Sequence, residues 1–366
     1  MGLGILITVD NKANSELTGL VTLVEVQEKI DLAISYKIRF AIDVCSNDVG
    51  TLWEKVTDPG SVLGVLVEAN DKMHCLVSGP VTNHSINLEH GGSGSWLEVV
   101  GSDQTVDLDK TPVKHNHIGE DAANVEKILS SKYPKPDVAK TPASTHEEEK
   151  HSQVQLETDL AFIRRLAQRN GFHFWFDYDQ NAKPTAHFKP RSLDAKAVAD
   201  LKVNLDNANV DNLQIKWDIK PPVKSEGKQI DQNSKEIFGG ETTLKKSEQL
   251  GAESLTKIAG KIANAMRLAP PVDSAGALSA RAEAALKDAQ WFITGTCKTT
   301  LKRICKIIRS HTIVNVEGAG SRYSGKYYVI GVKHNIDSAD HTMEIELSRN
   351  AWNSKESVLS DIKAIF

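Results

Sequence analysis

Hydrophobic and polar residues alternate along much of the first hundred positions, and each alternating run predicts a half-buried strand. Residues 20–27 read Leu-Val-Thr-Leu-Val-Glu-Val-Gln. Over 33–42, Ile34, Tyr36, Ile38 and Phe40 share one face, while Lys37 and Arg39 share the other. Shorter strands are expected over 62–68, 72–78, 81–88 and 96–101, separated by Gly, Asn and Asp turns. Closely spaced strands with this punctuation predict a barrel or sandwich.

The period changes after Pro112. Ala122, Val125, Ile128 and Leu129 fall at helical spacing, so a short amphipathic helix is expected over 119–129. Pro134, Pro136 and Pro142 then mark an extended connector. A second helix begins at Thr158, a good N-cap, with Asp159 in its first turn. Its buried stripe is Leu160, Ile163, Leu166 and Ala167, with Arg164, Arg165 and Arg169 facing solvent or a partner. Gly171 stops it, because glycine tolerates the left-handed conformation that follows a helix. An aromatic strand, Phe172-His-Phe-Trp-Phe-Asp-Tyr178, returns through 185–188 as a hairpin. Beyond it come strands over 201–205 and 210–219, a polar loop over 227–243, helices over 254–267 and 275–287, and strands over 291–300, 311–316, 326–334 and 341–347. A terminal helix over 357–366 carries Leu359, Ile362 and Ile365 on one stripe.

The chain thus divides into a β block (1–112), an α/β insert (113–195), a second β block with a helical insertion at about 244–290 (196–350), and a tail (351–366). The expected class is mixed β with α insertions. Two β blocks of comparable size are compatible with structural duplication, although no repeat is visible as identical sequence.

Composition adds limits. A length of 366 residues exceeds the roughly 100–200 of a single domain. The net charge of −4, from 44 basic and 48 acidic residues, gives no reason to expect a dedicated nucleic-acid surface, which needs clustered Lys and Arg. Cys45, Cys75, Cys297 and Cys305 form no CxxC pair and read as small buried hydrophobes in a reducing compartment. The amino terminus lacks the basic start and cleavage site of a secretory signal. Leu6 stands where a myristoylation site needs Ser or Thr. No apolar run approaches the ~20 residues that span a bilayer, so membrane anchoring is not expected, and assembly in the bacterial cytoplasm is.

Catalytic signatures are missing. GxSxG is absent, and Gly91-Gly-Ser-Gly-Ser95 lacks the Lys and hydroxyl ending of a phosphate loop, so it reads as a hairpin connection. Gly318-Ala-Gly320 reads as a turn. His115 and His117 lie near Glu120 and Asp121, but two histidines make an incomplete metal site. His146-Glu-Glu-Glu-Lys-His151 spaces its histidines wrongly for one helix face and reads as a charged loop. His173 reads as the polar face of its strand. Cell-wall hydrolysis needs a carboxylate pair at a cleft, and no local pattern nominates one. Neither an enzyme, a cofactor nor a metal is expected.

Residues 157–176 resemble the Asp-x-x-Phe-x-x-Arg-Leu-Ala-x-Arg-x-Gly-Phe-x-Phe segment of baseplate hub proteins. Asp159, Phe162, Arg165, Leu166, Ala167, Arg169, Gly171, Phe172 and Phe174 occupy the matching places. That family includes the late control gene D proteins of contractile-tailed phages and the amino-terminal half of VgrG spikes. The helix over 122–129 resembles the short element before the family's insert. Gly325-Lys-Tyr-Tyr-Val-Ile-Gly-Val-Lys-His334 and His341-Thr-Met-Glu-Ile-Glu-Leu-Ser-Arg349 resemble its closing hairpin.

The resemblance implies two tail-tube-like β-barrels per chain and a homotrimer presenting six similar barrels around a channel. The implied partners are the tail tube or a tube-initiator protein, a spike, other baseplate proteins including the tape measure, and DNA or cargo that passes without specific binding. The particle would be a virion tail or a tail-like injection system. Because the chain stops shortly after the closing hairpin, a separate spike subunit is expected. Trp352, Leu359, Ile362 and Ile365 are then expected to meet the spike or a neighbouring protomer. The alternatives are a tail-associated cell-wall hydrolase and a hexameric distal-tail or tube subunit.

Overall fold

The computed structural model of the chain describes residues 4–42, 58, 60–90, 94–141, 145–146, 153–230, 235, 237–243, 249–260, 264–268 and 275–353. Strand β1 (Ile5–Val9) is followed by helix α1 (Ser15–Leu20), β2 (Val21–Lys29), β3 (Ser35–Ala41), β4 (Val62–Ala69), β5 (Lys72–Asn87) and β6 (Trp96–Ser102). The insert contributes α2 (Asp121–Ser130), α3 (Asp159–Asn170), β7 (His173–Tyr178) and β8 (Pro184–Lys189). Then come β9 (Asp200–Lys202), β10 (Leu213–Trp217), β11 (Pro222–Ile230), β12 (Ile237–Thr243), α4 (Leu255–Ala259), β13 (Asn264–Leu268) and α5 (Ala275–Ala289). The chain closes with β14 (Ile293–Thr300), β15 (Ile313–Glu317), β16 (Gly325–Asp337) and β17 (His341–Arg349).

The fold is of the expected class, mostly antiparallel β with few helices. The two β halves share one sheet of 13 strands, running β10-β14-β17-β16-β2-β3-β6-β5-β4-β1 and ending on the two-residue strand Lys12–Ala13, with β15 branching from β16 and β9 paired to β15. The seam is the antiparallel pair β2–β16, in register from Lys29 opposite Gly331 to Leu23 opposite Asp337. Each half encloses its own core. Val24, Val26, Tyr36, Ile38, Leu63 and Val99 lie in the first. Leu201, Val314, Tyr327, Val329, Ile345 and Leu347 lie in the second. The hydrogen-bonded path through the described strands runs open rather than closing on itself.

Alternation places β3 as read: Tyr36, Ile38 and Phe40 are buried, while Lys37 and Arg39 point outward and pair with Glu98 on β6. The separate strands expected at 72–78 and 81–88 are one. β5 pairs with β4 as far as Pro80, then with β6 from Val81 onward, so a single long strand changes partner halfway.

The insert has a third core, around Val125, Leu129, Phe162, Ile163, Phe174 and Phe176. Its central helix follows its sequence signals. The Thr158 hydroxyl accepts from the Ala161 N–H at 3.3 Å, and Gly171 takes the left-handed conformation at φ 67°. Thr158→Ala removes that cap and is expected to lower stability by about 1 kcal/mol; urea unfolding with an unchanged value would argue against a capping role. Arg169 departs from expectation. Its side chain is largely buried and its Nε lies 3.7 Å from the fully buried Asp121 carboxylate, because α2 packs beside α3.

Two further expectations are overturned. The polar stretch 227–243 is no loop: its described residues build the β11–β12 hairpin, extended by parallel pairing of β11 with β13. Helix α5 covers this small sheet, with Leu278 seated over Gly227. The helix expected over 254–267 ends at Ala259, before Gly260, and Asn264–Leu268 is the strand β13. In both cases pairing with a distant strand overrode local composition. The terminal helix expected over 357–366 lies outside the described residues.

Candidate functional site

Buried polar side chains gather at the junction where the β2–β16 seam meets the insert. On β2 the inward positions are Val24, Val26 and Glu28, so a carboxylate sits where the pattern calls for a hydrophobe. Glu28 is 2% exposed. It forms an ion pair with Arg309, and its Oε2 accepts from the Ser310 N–H at 3.0 Å and the Ser310 hydroxyl at 3.2 Å. Arg309 reaches further: its Nη1 and Nη2 donate to the Cys75 and Leu76 carbonyls of β5 at 2.7 and 2.9 Å. One side chain from the second half thereby grips two strands of the first. Burial raises the Glu28 carboxyl above its ordinary range, against the opposing pull of Arg309.

Behind Glu28 stand two buried histidines. His334 on β16 and His341 on β17 face each other, Nδ1 to Nε2, at 3.0 Å. Burial pulls both down, His341 to about 4 and His334 well below the ordinary histidine range. One ring donates its N–H to the lone pair of the other, so the neutral pair satisfies itself.

The insert docks through an aromatic stack. Trp175 on β7 lies flat against His311 of the second half, ring centres 3.8 Å apart at 8°, and against His187 of β8 at 4.9 Å and 21°. His173 Nδ1 is 2.7 Å from Asp31 of the first half. His311 Nδ1 is 3.1 Å from the Tyr328 hydroxyl. Arg191 lies over Trp291 at 4.3 Å and faces Asp288 of α5 at 3.9 Å. The junction therefore ties three cores together through oriented polar groups. Such contacts hold register and relative angle more than they add net stability, since burying charges costs much of what pairing returns.

On the outward face of the shared sheet, charges pair across strands: Lys298 with Glu344, Lys29 with Glu346, Lys333 with Glu25, and Arg39 with Glu98, at 3.6, 2.9, 3.2 and 2.8 Å. A groove of about 450 Å³ opens over this face, lined by Gln27, Thr296, Lys298, Lys333, Glu344 and Glu346.

The residues singled out by sequence are scattered. Trp352 is 7% exposed, packed against Phe292 and Trp217, with Arg322 above its ring. Leu359, Ile362 and Ile365 lie outside the described residues. His117 bonds Gln155 at 2.8 Å and stacks on Phe162, and Asp121 accepts from Asn170 at 2.8 Å, so that cluster is engaged in packing the insert. No group of three or more metal-ligating side chains occurs among the described residues. His173 is buried rather than on a polar face. Gly94 and Ser95 sit in the β5–β6 hairpin connection, as expected. Most of the run from His146 to His151, and Cys45, lie outside the described residues. Cys75 and Cys297 are buried, their thiols pushed up to about 12, but Cys305 is exposed because it caps a short helix in the left-handed conformation. No described helix is long and apolar enough to cross a membrane. Glu28, Arg309 and Tyr328 gave no sequence signal, apart from the inward parity of Glu28.

A family model described as the Alg8 N-terminal domain matches residues 6–338. Among solved structures, the fold is similar to a 43 kDa prophage MuSo2 tail protein from Shewanella oneidensis, with TM-score 0.67, 12% identity, and 95% of this chain and 98% of that one covered. It is also similar to a tail protein from Neisseria meningitidis, with TM-score 0.62, 14% identity, and coverage of 95% and 97%. A third is the Escherichia coli c3393 protein, a component of the type VI secretion system with structural similarity to the phage T4 tail proteins gp27 and gp5. There the TM-score is 0.54 and the identity 14%, with 94% of this chain and 76% of that one covered. No curated protein matches by sequence.

Proposed function

The chain belongs to the Alg8 N-terminal domain family, and from its fold we propose that it is a structural baseplate hub of a contractile phage tail or tail-like injection particle. The observation that carries this reading is the β2–β16 seam, which fuses two β units into one sheet within a chain of which 95% aligns with tail proteins. Each protomer offers two β units, residues 1–112 and 196–350, at an angle set by the buried junction. Three protomers arranged about a three-fold axis present six such units, which matches a six-fold tube on one side and a three-fold spike on the other. The insert over 113–195 faces other baseplate proteins. The tail over 351–366, from Trp352 to Leu359, Ile362 and Ile365, meets the spike or a neighbouring protomer.

In this assembly the cross-paired Lys and Glu face of the sheet is the surface for the channel. Charges already neutralised by their neighbours leave little net field to hold a passing DNA or protein. The role is structural, with cargo moving past rather than being altered.

Mass measurement of the purified protein, alone and with its spike, tests the reading. The expected species is a trimer of the 40.1 kDa chain. A monomer in both conditions, or a hexamer, refutes it.

A further inference from the structure

We infer that the histidine junction is an acid-sensitive latch, in which protonation of His311 releases the insert strands β7 and β8 from the second β half, and protonation of the His334–His341 pair loosens the seam behind it, while the three apolar cores persist. The inference is independent of the hub reading.

The geometry of the pair comes first. Nδ1 of His334 and Nε2 of His341 are 3.0 Å apart, a distance that needs one N–H and one lone pair. With both rings protonated, both facing nitrogens carry hydrogen, the bond is lost and two cations are left in contact. The anion nearest His334 is Glu28, 3.7 Å away, already committed to Arg309 and Ser310. Asp340 is the acid beside His341, and its carboxylate accepts from the His341 backbone N–H.

His311 is similarly hemmed in. From the insert it meets Trp175 and His173, with His187 on the far side of the indole; from its own half it meets Tyr328. Arg191 and Arg309 bring positive charge. The nearby acids are spoken for: Asp31 by His173, Asp177 by His187 and the Trp175 N–H, Asp288 by Arg191. A flat cation on indole gains some attraction, about 0.5–2 kcal/mol. The surrounding cations and the burial outweigh it, and hold His311 well below the ordinary range.

The sign follows. A histidine held neutral in the closed junction but free to charge when open favours the closed state above about pH 6.5 and loses that preference as pH falls through the interval below. Between pH 7.5 and 5, each such histidine shifts the balance toward opening by roughly 30-fold. His311 lies in the contact between insert and β half, and the His334–His341 pair lies in the seam behind Glu28, so the shift acts at the junction before it acts on the apolar cores.

Hydrogen exchange of the intact chain at pH 7.5 and pH 5, corrected for intrinsic rates, reads this directly. Strand 173–178 is expected to lose at least tenfold more protection than strand 96–102, which pairs with β3 and β5 of the first half. His311→Phe keeps a flat ring on Trp175 but cannot titrate, and should reduce that acid-induced loss by about an order of magnitude. Should His311→Phe misfold, His311→Gln keeps a planar polar group between Trp175 and the Tyr328 hydroxyl, cannot titrate, and serves the same purpose. Parallel loss in both strands, or an undiminished acid response in a folded variant, overturns the latch.

Discussion

Arg309→Met is expected to lower the unfolding free energy by about 3–5 kcal/mol, the cost of leaving a buried carboxylate without its counter-charge. Glu28 is 2% exposed, and its remaining partners are the N–H and hydroxyl of Ser310. The substitution also abandons the Cys75 and Leu76 carbonyls, which lose donors at 2.7 and 2.9 Å. The loss should therefore exceed that of removing Glu28 and Arg309 together. Arg309→Met combined with Glu28→Gln replaces an orphaned charge with a neutral amide and should recover part of the difference. Urea unfolding at neutral pH with an unchanged slope checks it. A loss below 1 kcal/mol for the single variant would show that the pair is screened rather than buried.

Gly79→Ala is expected to be nearly as damaging, at about 3 kcal/mol. A Cβ at this position would stand 1.9 Å from the Ser102 carbonyl oxygen and 2.8 Å from the Asp103 backbone. These are main-chain atoms and cannot rotate away. Gly79 lies where β5 leaves β4 for β6, so the strand passes unusually close to the end of β6. The same point carries the Tyr36 hydroxyl, which donates to the Gly79 carbonyl at 3.0 Å, and Asp103, whose Oδ2 accepts from the Ile34 N–H at 2.9 Å. Any shift that relieves the clash stretches these bonds. Comparison with Tyr36→Phe, which removes the hydroxyl alone and should cost about 1 kcal/mol, separates steric from polar effects. If both variants unfold alike, the close approach is not what constrains the site.

Much of the element order is legible in the sequence. The strands at 20–27, 33–42 and 96–101 declared themselves by alternation, and α3 by its Thr158 cap, apolar stripe and Gly171 stop. What misled was local composition. The hairpin β11–β12 is polar and glycine-containing, so nothing within it announces a strand; it forms because β13 and α5 supply its partners. Residues 254–267 look helical because helix formers are common there, yet the pairing of β13 with β11 claims their second half.

The junction was illegible for a related reason. His334 and His341 are seven positions apart, but Glu28 and Arg309 are 281 apart, and Trp175 and His311 are 136 apart. No short pattern can link them. Each is unremarked alone: an acid near a strand end, an arginine in a connection, a histidine before a strand.

By itself the sequence determined most of the strands of the two β halves and the helix 159–170, since apolar periodicity and caps act over a few residues and are written in order; it did not determine the elements between 227 and 268. It also carried the resemblance of residues 157–176 to hub proteins. The tertiary structure decided that the two β halves are one sheet, that β5 serves two partners, and that a buried ionic and imidazole cluster sets their angle. Those outcomes depend on which distant edges and side chains meet once the cores have formed, and the free energy of such meetings belongs to the pair, not to either segment.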